Sequence, residues 1–100
     1  MVRPVARTVA TGVGVNVARD AEAAVEDRMR SYGHPADNHA CTAALWSAWL
    51  ERRHGFRLEL TAADVCWLNV LQKLSREAHS REPDNIVDVI GFAINAEMVS

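Results

Sequence analysis

The segment Asp84–Asn95 constrains this chain most, because a helix drawn through it has no ordinary water-facing side. At ~100° per residue, Asp84, Asp88, Gly91 and Asn95 fall on one narrow stripe. Val87, Ile94 and Met98 flank it on one side, Phe92 on the other, and Ile86, Val89, Ile90 and Ala93 lie opposite. A solvated helix face is normally broad and rich in Lys and Glu, so this helix is expected to be buried nearly all round. Burying a carboxylate is costly unless cations, a metal or hydrogen-bond donors compensate. Lys73 and Arg76 are the cations at hand, at the end of the preceding predicted helix and one short turn away. The stripe is therefore either a structural ion-pair network or a ligand site.

Breakers and caps divide the remaining chain. Asp20 is a candidate N-cap for a helix from Ala21 to about Ser31, with Ala24, Val25 and Met29 as its apolar seam and Gly33 as its stop. Tyr32-Gly33-His34-Pro35 then leads into a helix from about Ala36 to Arg53, with Cys41, Ala44, Leu45, Ala48 and Trp49 on its apolar face and Trp46 pointing elsewhere. His54-Gly55 ends that helix, and Phe56 to Leu60 alternates like an extended connector. Thr61-Ala-Ala-Asp64 is a capping sequence for a third helix reaching about His79. Its apolar side is Trp67, Leu68, Val70, Leu71, Leu74 and Ala78, and Asn69, Gln72, Lys73, Arg76 and Ser80 form the opposite, water-facing stripe. Four helices with short turns predict an all-α, four-helix bundle-like domain over residues 20–100.

Residues 1–19 are small, valine-rich and free of acids, which predicts an N-terminal arm or one short strand. Their basic start lacks the Leu or Phe run and the Ala-x-Ala end of a signal peptide. No run approaches the ~20 apolar residues that a membrane span needs. A chain of 100 residues with 49% hydrophobic content has only a modest core, burying roughly two-thirds of its unfolded surface. Helices with two apolar faces then call for a partner copy, so a homodimer or higher homo-oligomer is expected. The formal charge of -2, with basic residues scattered, argues against nucleic-acid binding. Cys41 and Cys66 each fall in an apolar stretch, which predicts reduced, buried thiols. Neither the cysteines nor the four histidines have zinc-site spacing.

The motifs Tyr32-Gly33-His34-Pro35 through Asn38, Leu45-Trp46-Ser47, Leu60-Thr61-x-x-Asp64-Val65, Lys73-x-x-Arg76 and Asp84-Asn85-x-x-Asp88-x-x-Gly91-Phe92 occur in that order. Together they resemble a small domain family of bacteriophage genomes, itself likened to MazG-like all-α nucleotide pyrophosphohydrolases. The resemblance spans residues 20–98 and implies a protein of the bacterial host cytoplasm. MazG-like enzymes hold magnesium with a Glu-x-x-Glu pair on one helix and a Glu-x-x-Asp pair on a later one. This chain has Glu22-x-x-x-Glu26 in place of the first, and Asp84 or Asn85 with Asp88 in place of the second.

Two functions follow as expectations. In the first, Asp84, Asp88 and Glu26 hold magnesium and Lys73 and Arg76 neutralise phosphate oxygens, while Tyr32, Asn38, Trp46 and Asn85 contact the rest of a nucleotide. Hydrolysis of a nucleoside triphosphate to monophosphate and pyrophosphate is what the resemblance implies for such a site. In the second, the protein is a non-enzymatic phage accessory protein that binds a host or phage protein. The charged residues then only pair with one another and fix the bundle's register.

Overall fold

The computed structural model describes residues 4–100, with side chains from Gly14 onward. Four helices follow in order, α1 (Pro4–Tyr32), α2 (Pro35–His54), α3 (Ala62–His79) and α4 (Pro83–Met98). No strand occurs among the described residues.

The boundaries are set by local chemistry. Gly33 adopts φ 85°, a left-handed value that costs glycine little, and its N–H donates to Met29 O at 3.0 Å. Pro35 then opens α2, whose first free N–H, that of Ala36, donates to His34 Nδ1 at 3.0 Å. Gly55 ends α2 at φ 75°, after Arg52, Arg53 and His54 have placed basic groups against the negative end of the helix dipole. Thr61 and Asp64 form a reciprocal capping box, with Asp64 N donating to Thr61 Oγ1 (3.1 Å) and Thr61 N to Asp64 Oδ2 (2.9 Å). The connector before it is pinned to α2, because Leu60 N donates to Ser47 Oγ at 2.8 Å.

The first helix differs from its expected extent. It begins at Pro4, not Ala21, so Asp20 is an interior residue and most of the segment assigned to an arm or strand is helical. Residues 1–3 lie outside the described residues. Proline is well suited to the first helical position, and the β-branched residues that suggested a strand cost a helix only tenths of a kcal/mol each.

Helix α4 is central. It packs most extensively on α3, next on α1, and slightly on α2, while α2 leans mainly on α3. The side of α4 that faces inward is the polar one. Asn85, Gly91, Asn95 and Ala96 are buried and Asp88 is half-buried, whereas Ile86 is exposed and Val89, Ile90 and Ala93 are only half-buried. No residue from Val87 to Ala96 is exposed, so the middle of α4 is covered nearly all round as expected, whereas its ends are not, and Asp84 at the start of the stripe is exposed.

The same inversion runs through α2 and α3. On α3 the inversion is partial: Asn69 and Lys73 of the expected water-facing stripe are half-buried, as is Glu77, while Gln72, Arg76 and Ser80 are exposed as expected, Val65 and Cys66 are buried, and Trp67, Leu68, Leu71 and Leu74 are exposed. On α2 the buried residues are Pro35, His39 and Ala43, while Cys41, Ala44, Leu45, Ala48 and Trp49 are exposed. Cys41 is therefore not a buried thiol, although Cys66 is. The physical reason is that the polar stripe of α4 must meet donors and cations, and the polar side of α3 supplies them. The buried apolar residues among those described are accordingly small, namely Ala21, Val25, Ala43, Val65, Cys66 and Ala96.

At Gly91 the backbone of α4 packs directly on α1. A Cβ built there would lie 3.6 Å from Val25 Cγ2 and 4.0 Å from Ala21 O, ordinary contact distances. Gly91→Ala is expected to hold stability within about 1 kcal/mol, because helix propensity rises as the gap fills. Gly91→Leu is expected to cost about 1–3 kcal/mol by forcing the helices apart. Urea titrations of the two variants check this, and an unchanged midpoint for Gly91→Leu refutes the close approach.

Candidate functional site

The inward polar stripe meets its partners at Asp88. Lys73 Nζ of α3 lies 3.1 Å from Asp88 Oδ2, and Arg28 Nη2 of α1 lies 3.5 Å from Asp88 Oδ1. The Lys73 and Asp88 side chains are only 15% and 17% exposed, so this contact is less screened than a surface pair, whereas the longer bond from half-exposed Arg28 is the weaker. One carboxylate therefore ties α1, α3 and α4 together.

Beside it a cleft of about 570 Å³ opens at the α3–α4 junction, lined by Lys73, Arg76, His79, Asp84, Asn85 and Asp88 among others. The sequence-predicted phosphate residues and two of the three metal candidates thus come together. Arg76 and Asp84, both exposed, make no ion pair among the described residues. Asn85 also lines the cleft, but its buried amide is already used, with Nδ2 donating to Glu77 Oε1 at 3.1 Å. The same oxygen accepts from Glu82 N at 3.1 Å. Glu77 therefore caps α4, whose own N-cap residue Glu82 makes no side-chain capping bond. The Asn85 and Glu82 hydrogen bonds, with help from Arg81, hold the Glu77 carboxyl below the usual glutamate range.

The other predicted residues lie elsewhere. Tyr32 and Asn38 line a second cleft, of about 320 Å³, with Arg28, His39, Phe92 and Asn95. The Arg28 guanidinium carbon stands 5.9 Å from the Phe92 ring centroid, a cation–π distance. Asn95 Nδ2 approaches His39 Nε2 at 3.4 Å. Since an amide nitrogen only donates, Nε2 accepts there and the ring proton belongs on Nδ1. Burial pushes the His39 pKa down, in keeping with a neutral ring. Asn95 Oδ1 is buried without a hydrogen-bond partner. Trp46 borders a third, apolar groove with Trp49, Leu50, Leu60 and Leu68. Glu26 is exposed on α1 and lines none of these three.

As a magnesium site the donor set is thin. Among the described residues no group of three His, Cys, Asp or Glu side chains converges, and both Asp88 oxygens already face cations. A metal held by protein carboxylates alone does not fit. One that arrives on phosphate oxygens and uses a single carboxylate, such as Asp84, is compatible with how magnesium is commonly bound beside phosphates.

Arg28, His39 and Glu77 are the contributors that periodicity did not single out. Glu77 was legible in principle, since an acid within reach of an uncapped N-terminus is a capping signal. Arg28 and His39 act across long sequence separations and carry no local signature.

The family described as "Domain of unknown function (DUF6378)" matches residues 16–100. The "Gene 55 protein" of Mycobacterium phage D29 is 32% identical over 68 residues, which cover 67% of this chain and 41% of that protein. The chain thus spans less than half the length of that relative. No solved structure matches. No helix among the described residues is long and apolar enough to cross a membrane.

Removing the Asp88 carboxylate strands Lys73 in a half-dry site. Asp88→Ala is expected to cost about 2–3 kcal/mol in urea unfolding, and Lys73→Met combined with Asp88→Leu to recover much of it, because the loss comes from the unpaired charge. Equal losses in single and double variants would refute the pairing. For His39, the folded pKa lies below the unfolded value, so the unfolded chain binds the proton first as pH falls. Stability from neutral His39 is fully present above pH 6.5 and declines below it. Thermal melts between neutral and mildly acid pH check the slope, which His39→Gln should flatten.

Proposed function

We propose that this chain, which belongs to the DUF6378 family, binds the phosphate chain of a nucleotide in the cleft between α3 and α4. The observation that carries this reading is the convergence of Lys73, Arg76 and His79 with Asp84 and Asp88 around one opening of about 570 Å³. Arg76 offers a planar set of donors that no ion pair among the described residues uses, suited to phosphate oxygens. Lys73, held by Asp88, adds positive potential from the cleft wall. Asp84, in no ion pair among the described residues, is the carboxylate to share a magnesium ion that the nucleotide brings.

A MazG-like hydrolysis, consuming water and releasing a nucleoside monophosphate and pyrophosphate, is the activity that the sequence resemblance adds to this reading. A magnesium ion bound there would neutralise developing charge on phosphate oxygens. The chain's own contribution is to bind and orient the phosphates through Arg76 and Lys73.

A second reading is favoured by a specific observation. Asp88 is shared by cations from two other helices, which is what a purely structural lock would also look like, in a phage accessory protein that binds a host or phage protein without catalysis.

A thermal-shift series with deoxynucleoside triphosphates and magnesium separates the two. Binding to the native state at 100-fold excess over Kd adds about 2.7 kcal/mol, which is expected to raise the midpoint by several degrees. Arg76→Ala and Asp84→Ala, both at exposed positions, should keep the fold and lose that rise. No shift at millimolar nucleotide sinks the phosphate reading. Pyrophosphate release, assayed on the same samples, decides turnover.

A further inference from the structure

The residues that ought to form a core are on the outside of this fold. Leu45, Trp46 and Trp49 of α2 and Trp67, Leu68, Leu71 and Leu74 of α3 are all exposed, with Leu45, Trp49 and Leu71 at 66%, 62% and 59%. They are continuous. Trp46, Trp49 and Leu68 border the same apolar groove of about 350 Å³, Leu45 lies one turn from Trp49, and Leu71 and Leu74 extend the α3 stripe from Leu68 and Trp67.

We propose that this α2–α3 face is a self-association surface covered by a second copy of the chain. Three observations select that occupant. The first is area. With aromatic side chains burying on the order of 150–250 Å² and leucines somewhat less, the exposed parts of these seven residues amount to roughly 700 Å². That exceeds the ~300–600 Å² of the largest patch on a typical monomer and approaches the ~800 Å² that each partner contributes to a standard stable interface.

The second is the interior left to a lone chain. Its largest fully buried side chains are Val65 and Cys66, so most of the large apolar surface that would drive folding must be covered from outside. An obligate interface resembles a domain core cut in half, and another copy is the cover present wherever the chain is made. The third is charge. None of the seven residues is charged, nor are Leu50 and Leu60 that complete the groove. Two identical faces bring identical charges together, so a patch whose middle carries none is suited to pairing with itself, with exposed Arg53 and Asp64 at its rim. Ridge and groove share one surface, which allows a two-fold arrangement in which each copy places its α3 ridge against the groove between the other's α2 and α3.

All three tryptophans of the chain lie on this face, so its cover can be read directly. Light scattering after gel filtration at micromolar concentration is expected to give at least twice the 11.0 kDa chain mass. Tryptophan emission should be blue-shifted and protected from iodide, reverting on dilution as the melting midpoint falls. Leu71→Glu, which sets a charge against its own image, should weaken association about 100-fold or more. Should that variant fail to fold, the mass and emission of the unaltered chain still decide. A folded chain of 11.0 kDa with quenchable tryptophans at every concentration overturns the proposal, as does association only with a different protein. Neither result depends on whether nucleotide binds.

Discussion

The carboxylate of Asp88 is the point on which the helical arrangement turns. Lys73 from α3 and Arg28 from α1 reach it from either side of α4, and an ion pair whose principal members are more than four-fifths shielded tolerates little displacement. A misplaced α3 would leave a charge in a half-dry site, which costs more than the pair itself contributes. The contact therefore acts mainly by excluding other packings, a role in specificity more than in net stability.

Its consequence is a reversal of the usual distribution. Because the polar sides of α3 and α4 turn toward each other, Glu77 can also cap α4 and hold Asn85, and His39 can meet Asn95. The interior gains directional contacts and loses bulk, and α1 closes on α4 through Ala21, Val25 and Gly91. Leucine and tryptophan are displaced to the α2–α3 surface. A small domain has little stability to spare, and an interior of alanines and valines contributes less hydrophobic stabilisation per side chain than leucines would. Specific pairing inside and apolar surface outside are two sides of one arrangement.

The candidate chemistry divides along the same lines. Residues within two turns of the α3–α4 junction, Lys73, Arg76, Asp84 and Asp88, share a cleft, as their spacing in the chain implied. Residues grouped with them by motif alone are dispersed. Tyr32 and Asn38 belong to a cleft beside α1, Trp46 to an apolar groove, and Glu26 to an exposed face. Arg28 borders one cleft and bonds to a residue that borders another, which makes it the physical link between two regions that the sequence treats as unrelated.

What the sequence determined by itself is everything settled within a few residues. Gly33 and Gly55 stop helices because left-handed backbone suits glycine, Thr61 and Asp64 cap each other, and proline opens α2 and α4. Periodicity also showed that Asp88, Gly91 and Asn95 share one side of a helix. The tertiary structure alone decided which side faces in. Amphipathicity says that the two faces differ, and the usual rule sends the apolar one inward. Here the helices obey the stronger demand of a carboxylate and an amide for partners, a demand met from other helices, by Lys73 of α3 and by Arg28, 60 positions away, for Asp88, and by His39, 56 positions away, for Asn95. Contacts at that separation leave no periodic trace in a single chain, because nothing local distinguishes a lysine that faces water from one that faces a buried acid.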